Sequence, residues 1–371
     1  MKQGWEYKKI GNICNITTGK LDANAANEDG LYPFFTCSRI PLSINTYAYD
    51  CECILIAGNG DLNVKYYNGK FNAYQRTYIL QLKNDVNGVE MRYIFAFFNL
   101  YIEELRRKSI GGIIKYIKLG DLTNALLPLP DITTQLSIVS ELDKINELIR
   151  LKKEQLKDYD NLAQSIFYEM FGDPVDNEKG WEVKKWKEVF NTILGKMLDK
   201  SKQINHLKQY KYLANMNVQW GYFDLKELRS MTFTDEELAK YELRNNDLLI
   251  CEGGDAGRCA IWKETDETIL FQKAIHRARL IDTDNADVVY IRYWMQFYKV
   301  NKGLKDYISK STIEHLTGDK LKRLPIPLPP LPLQHLFAQR IEQIERQKSA
   351  VQKSITDLET LLASRMQYWF E

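Results

Sequence analysis

"LLPLPDITTQLSIVSELDKINEL" (residues 126–148) and "LPIPLPPLPLQHLFAQRIEQIE" (residues 324–345) decide how this chain is read. Each places a Leu/Ile-Pro-Leu-Pro step directly before a long helical pattern. From Leu127 to Gly172 the two copies run without a gap at an offset of 199 residues. Upstream, "GWEYKKIGNICNITTGK" (4–20) aligns with "GWEVKKWKEVFNTILGK" (180–196), eight of seventeen positions being identical at an offset of 176. "ILIAGNGD" (54–61) answers "LLICEGGD" (248–255), and "GDLTNALLPLP" (120–130) answers "GDKLKRLPIPLP" (318–329). "FNAYQRTYILQL" (71–82) answers "LFQKAIHRARLI" (270–281) more weakly. A self-match of this length means one structural plan used twice. The chain reads as globular unit, helix, globular unit, helix, with boundaries expected at 1–130, 131–172, 173–330 and 331–371. Residues 21–53 and 197–247 show almost no kinship, so one frame carries two different faces.

Apolar residues of the first helical stretch fall at Ile138, Leu142, Ile145, Ile149, Leu156, Tyr159, Ala163, Ile166 and Met170, with Lys152 filling one place in the series. The second stretch repeats the steps at Phe337, Ile341, Ile344, Val351, Ile355, Leu358, Leu362 and Trp369, with Lys348 and Arg365 at its polar places. Alternating steps of four and three give a 3.5-residue period. That is the seam of a coiled coil rather than the face of an ordinary core helix, which seldom runs far beyond about 25 residues. A helix of roughly 37 residues spans about 55 Å. Pro128, Pro130, Pro325, Pro327, Pro329, Pro330 and Pro332 keep their neighbours extended and set where each helix begins. Their placement at both joints marks straps, not a ligand for an aromatic groove.

Within the globular units, "CILIAG", "RTYILQL", "NDLLIC" and "AIHRARLI" read as strands bounded by Gly, Asn and Asp turns. "MRYIFAFFNLYIEEL" and "VYIRYWMQFYKV" carry apolar residues at helical steps. The expected fold class is therefore α/β: two tandem mixed α/β domains, joined and separated by two long helices forming an antiparallel coiled coil.

A chain of 371 residues with 44% apolar content has room for two or three cored domains. No 18-residue apolar run occurs, and "MKQGWEYKKIG" lacks the apolar core of a signal peptide, so a cytoplasmic protein without a membrane span is expected. Cys14, Cys37, Cys51, Cys53, Cys251 and Cys259 form no Cys-x-x-Cys pair and have no neighbouring histidine, which points to reduced thiols and no structural metal. The net charge of +2 divides as +3 over residues 1–130, −3 over 131–172, +2 over 173–330 and 0 over the rest. The small positive excess lies on the globular units. No Gly-x-x-x-x-Gly-Lys-Ser/Thr loop and no Asn/Asp-Pro-Pro-Tyr/Phe stretch appears, so neither a nucleotide motor nor an adenine methylase is expected. "AGNGD" and "CEGGDAG" read as turns between strands rather than phosphate loops.

Two divergent units, each followed by a Pro-Leu-Pro strap and a long helix, resemble the specificity subunit of type I restriction-modification enzymes. The residues that carry the resemblance are Trp5 and Trp181, Gly120-Asp121-Leu122 and Gly318-Asp319-Lys320, Gln135 and Gln334 at the helix starts, and the helix ends "SIFYEMFG" and "SRMQYWFE". The resemblance covers essentially the whole chain. It implies a non-catalytic DNA-binding subunit with two target-recognition domains, each reading one half of a split target. The helices would fix the unspecified gap and dock two methylation subunits and, through them, restriction subunits. No cofactor would be bound directly; S-adenosylmethionine would sit on the partner methylation subunit. In one departure, the second strap has more prolines than the first, so hinges of unequal stiffness are expected. The competing reading is a protein-only coiled-coil scaffold or adaptor without DNA binding.

Base reading favours Arg, Lys, Asn and Gln, and phosphate contact favours Lys, Arg, Ser and Thr. On that ground, and from their position in or beside turns and divergent segments, the DNA-binding candidates in the first unit are Lys20, Arg39, Asn59, Lys65, Gln75, Arg76 and Lys115. In the second they are Lys196, Asn217, Arg258, Gln272, Lys273, His276, Arg277, Lys310, Ser311 and Thr312.

Overall fold

The computed structural model describes residues 4–197, 208–263, 265–308 and 314–371. It divides into two compact units, one made of residues 1–155 and 351–371 and the other of residues 156–350. Two helices of 40 residues run through Ile132–Phe171 and Leu331–Phe370, within two residues of the boundaries the sequence implies. Each is divided between the two units.

The first unit centres on a six-stranded sheet. Its order is Cys14–Thr18, Thr77–Leu82, Tyr49–Ala57, Val64–Ala73, Tyr32–Phe35, Leu42–Ile44. All pairs are antiparallel except Tyr32–Phe35 with Val64–Ala73. One face packs on the helix Met91–Lys108 and on both long-helix segments, through Ile54, Ile56, Leu80, Ile94, Phe98, Ile138, Leu142 and Phe370. The other face forms a smaller cluster around Phe35, Leu55, Phe71 and Ile79.

The second unit repeats the first four strands in the same order: Phe190–Leu194, Ile275–Leu280, Leu248–Cys251, Cys259–Ile261. Its second sheet, Arg229–Thr232, Gln209–Leu213 and Ile269–Phe271, is built largely from the divergent segment. The repeat is thus a four-stranded frame; what differs extends its edge in the first unit and, in the second, forms a separate sheet packed on one of its faces. Gly19 and Gly195 show why the frame is kept: a Cβ on either would stand 2.1 Å from Ala73 O or 2.2 Å from Gln272 O.

The proline straps are strands. Leu126–Leu129 pairs antiparallel with Glu6–Lys9, and Pro325–Leu328 with Glu182–Lys185. In a two-stranded ribbon each strand is an edge, so prolines on alternate residues turn their missing N–H outward. Gln135 and Gln334, both fully buried, fasten the helix starts. Gln135 accepts from Glu90 N (3.0 Å) and donates to Gly88 O (3.0 Å) and Pro130 O (2.7 Å). Gln334 accepts from Asp287 N (2.9 Å) and donates to Asn285 O (3.4 Å) and Pro329 O (2.7 Å). Tyr93 and Tyr290 each donate to a strap carbonyl, Pro128 O and Pro327 O, at 2.7 Å. These four-point joints explain the shared residues: each strap is tied to its own unit before its helix departs.

Within each unit the long-helix segments pair with opposed direction. In the first, Glu141 meets Arg365 (Nη2, 3.0 Å) and Trp369 (Nε1, 3.0 Å), and Lys153 meets Glu359 at 2.8 Å. In the second, Asp160 meets Lys348 at 2.8 Å, and Phe167 and Phe171 stack edgewise on Phe337. As one partner's number rises, the other's falls. The seam residues Ile138, Leu142, Ile145, Ile149, Phe337, Ile341, Ile344, Val351 and Ile355 are buried, and Leu156 and Leu358 are half-buried. The polar place Lys348 answers Asp160 and Glu345, which outweigh its burial and raise its pKa. Among the described residues no helix is long and apolar enough to cross a membrane.

Candidate nucleic-acid interface

The seven candidates of the first unit come together at one end of its sheet. The turn Gly58–Asp61 is the hub. Gly58 N donates to Arg76 O (2.8 Å), Gly60 N to Lys115 O (3.0 Å), and Ile117 N to Gly58 O (3.0 Å). Asn59 bridges to Tyr116. Gln75 N donates to Leu21 O (2.8 Å), which brings Lys20 beside Gln75 and Arg76. Cys37 Sγ donates to Arg76 O (3.5 Å), and Asn63 Nδ2 donates to Cys37 O (2.8 Å), seating the segment that carries Arg39. The hub needs a glycine, since a Cβ at Gly58 would lie 2.4 Å from Arg76 O.

Arg39 grips Asp61 through Nε (2.7 Å) and Nη2 (3.2 Å). That hydrogen bond, with nearby Arg106 and Lys65, holds the Asp61 carboxyl below its ordinary range. Lys65 donates to Asn63 and is half-buried, and burial lowers its pKa. Arg106, Asp61 and Asn63 were not among the sequence candidates. Arg106 Nη2 donates to Leu62 O (2.8 Å) and lies 3.6 Å from Asp61. The signal for it was present as the basic run Arg106-Arg107-Lys108 closing a helical pattern.

The second unit builds the same rim with other residues. Glu252 N donates to Ala274 O (2.8 Å), Leu316 N to Glu252 O (2.7 Å), and Gly253 bridges to His315, matching the Gly58, Ile117 and Asn59 contacts. Lys273 N donates to Lys196 O (2.7 Å), so Lys196, Gln272 and Lys273 share this rim, Lys273 being exposed. Lys196 is also tied inward, to Glu237 (2.5 Å) and Thr232 O (2.8 Å). Arg258 Nη2 donates to Asn215 O (2.9 Å), leaving its guanidinium only partly exposed.

Three candidates serve the fold instead. Asn217 is buried, accepting from Ala214 N (2.8 Å) and donating to Asp224 O (2.9 Å) and Glu227 O (3.1 Å), which closes its loop. His276 and Arg277 lie on an inner strand of the four-stranded sheet and are buried. His276 Nε2 faces Leu316 O at 3.3 Å, and burial lowers its pKa, favouring the neutral ring. Arg277 Nη1 donates to Lys240 O (3.2 Å) and Glu242 O (2.8 Å). Period-two alternation on a strand marks one outward face only when the other face alone is covered; here both faces are. Lys310, Ser311 and Thr312 lie outside the described residues.

The cysteines are free thiols. Burial raises the Cys14 and Cys251 pKa values to about 12 and about 11, which leaves both protonated near neutrality. Among the described residues no group of three His, Cys, Asp or Glu side chains is placed to hold a metal ion.

A doubled α/β frame, with paired helices and two differently furnished rims, defines a tandem recognition architecture. The family model described as "Type I restriction modification DNA specificity domain" matches residues 2–158 and 178–360, and the chain belongs to that family. It is 24% identical over 383 residues to the type I restriction enzyme EcoDI specificity subunit of Escherichia coli, covering 95% of this chain and 84% of that protein. It is 21% identical over 401 residues to the MjaVIII specificity subunit of Methanocaldococcus jannaschii, covering 97% and 92%. Among solved structures it is similar in fold to the type I S subunit from M. genitalium, with a TM-score of 0.59 at 13% identity over 100% of this chain and 98% of that one. A structure titled for complex assembly and conformational transition of the type I R-M system gives 0.62 at 18% identity, with the same coverage.

Proposed function

We propose that this chain is the DNA-recognition subunit of a type I restriction-modification system, each unit reading one half of a bipartite target through its rim. The observation that carries this reading is the pair of rims: the same backbone hydrogen bonds, furnished with different polar side chains. The long helices act as an antiparallel coiled coil that sets the unspecified gap and docks two methylation subunits, which recruit restriction subunits. Successive major grooves on one face of a duplex lie about 34 Å apart, within reach of a rod of this length. The chain itself is non-catalytic and works in the cytoplasm. Target-base extrusion and methyl transfer, with S-adenosylmethionine, belong to the methylation partner. Lys20, Arg39, Asn59, Lys65, Gln75, Arg76 and Lys115 form the first rim. Lys196, Arg258, Gln272 and Lys273 contribute to the second.

Phosphate contacts by such residues make affinity depend on salt. Binding of the chain with its methylation partner to its mapped target should weaken by at least about 10³-fold between 50 and 200 mM salt if six or more phosphates are engaged. A flat titration, or no binding to any genomic duplex, would leave the protein-only scaffold.

Arg39 makes a sharper prediction. Asp61 occupies its Nε and one Nη2 hydrogen, which leaves the Nη1/Nη2 edge able to address guanine O6 and N7 together. R39A should relax one guanine position in the first unit's half-target, at a cost of about 1–3 kcal/mol there. Methylome sequencing with an unchanged motif would refute it.

A further inference from the structure

We propose that the loop Ser109–Tyr116 is an apolar wedge that enters the base stack at the half-target read by the first unit. The inference rests on the DNA-binding reading above and deepens it. Ile113 is 104% exposed and Ile114 63%, the most prominent apolar side chains of the rim together with Ile40 at 79%. They do not sit on a loose strand. Ile110 and Tyr116 exchange backbone hydrogen bonds (3.0 and 2.9 Å), and Lys115 O accepts from Gly60 N (3.0 Å), so the base of the loop is pinned to the hub. The tip turns at Gly111, φ +120°, where a Cβ would lie 2.6 Å from Ile114 O. Only glycine permits that turn, and the turn is what pushes the two isoleucines outward.

The surrounding charge selects the occupant. Lys115 and Lys118 flank the tip, and behind them Arg106, Arg107 and Lys108 pair with Asp61, Glu103 and Glu104. An acidic protein surface would satisfy the cations but not the isoleucines. A duplex satisfies both, offering phosphates outside and stacked bases within, and isoleucine is among the side chains that wedge base steps apart. The wedge belongs to the first unit. At the offset of 199, Ile313 answers Ile114, but Thr312 stands in place of Ile113 and Lys310-Ser311 in place of Gly111-Gly112, so the paired isoleucine tip is specific to the first unit.

The test uses the full chain assembled with its methylation partner and a duplex carrying the mapped target, with 2-aminopurine placed in turn at each position in and beside both halves. Fluorescence should rise at one step of the first unit's half. The double variant Ile113→Ser/Ile114→Ser should lose that rise and bind at least tenfold more weakly, while Ile113→Leu/Ile114→Leu keeps both. The second half should respond identically in all three proteins. Absence of any unstacked step in the first half, or a serine variant that retains binding and fluorescence, overturns the wedge while leaving DNA recognition intact. A serine variant that binds its methylation partner more weakly reassigns the loop to protein docking and also overturns it. If the unaltered complex binds no duplex, the failure lies in the DNA-binding reading itself.

Discussion

Replacing Gln334 with leucine is expected to destabilise the second unit by about 1–3 kcal/mol, the cost of leaving a buried partner without its hydrogen bond. Its partners are Asp287 N, Asn285 O and Pro329 O; Pro329 is buried, whereas Asp287 is half-buried and Asn285 exposed. Asp287 also caps the helix Val288–Val300, accepting from Val289 N at 2.7 Å. The defect therefore spreads from the strap to the helix that buries Trp294 and Tyr290. Urea unfolding followed by tryptophan fluorescence reports the unit through Trp186 and Trp294, both fully buried. A loss below about 1 kcal/mol would mean that the amide is replaceable by packing alone. Q135L should act in the same way on the first unit, through Glu90 N, Gly88 O and Pro130 O.

The second large effect concerns target choice. Exchanging the segments between the frame strands, residues 21–48, 58–63, 74–76 and 109–117, for those of another member of the family should replace one half of the methylated motif and leave the other half and the gap as they were. The structure sets these limits. The helix Met91–Lys108 falls inside the first globular unit, yet it belongs to the frame: Arg92 pairs with Asp143 at 3.0 Å, and Tyr93 and Phe97 pack on Phe370. Its exchange would disturb helix packing together with recognition. Since each lost base contact costs about 1–3 kcal/mol, binding to the old target should fall by several orders of magnitude. Sequencing methylated genomic sites reads the result, and a motif altered in both halves would sink the modular reading.

The duplication was legible from letters because its strongest matches are steric or hydrogen-bonding necessities. Gly19 and Gly195 admit no Cβ, and Gln135 and Gln334, themselves buried, each make three hydrogen bonds. The long helices were legible because burial follows the four-three steps. The extension of the straps was legible from their prolines, but their pairing was not. Proline argues against a central strand, but in a two-stranded ribbon it sits without loss, and the partners Glu6–Lys9 and Glu182–Lys185 lie over a hundred residues away. The first rim was legible because its candidates lie in turns that converge. The second was less so. His276, Arg277 and Asn217 have the chemistry of readers but the surroundings of a core, and nothing local in sequence reports that a strand is covered on both faces. Arg39 was legible as a cation, but its alignment by Asp61, 22 residues onward, is a property of the folded turn alone.

The first unit takes its last twenty-one residues, 351–371, from the far end of the chain. Trp369 stacks on Trp5 with ring centres 6.2 Å apart, and Phe370 closes the cluster around Tyr93. During synthesis this unit must therefore wait, with its apolar face open, while nearly two hundred further residues are made. The second unit, whose residues are consecutive, can finish first. A nascent chain is thus expected to mature in the reverse of its reading order, and losing the final turns of its last helix should injure the unit that was begun first.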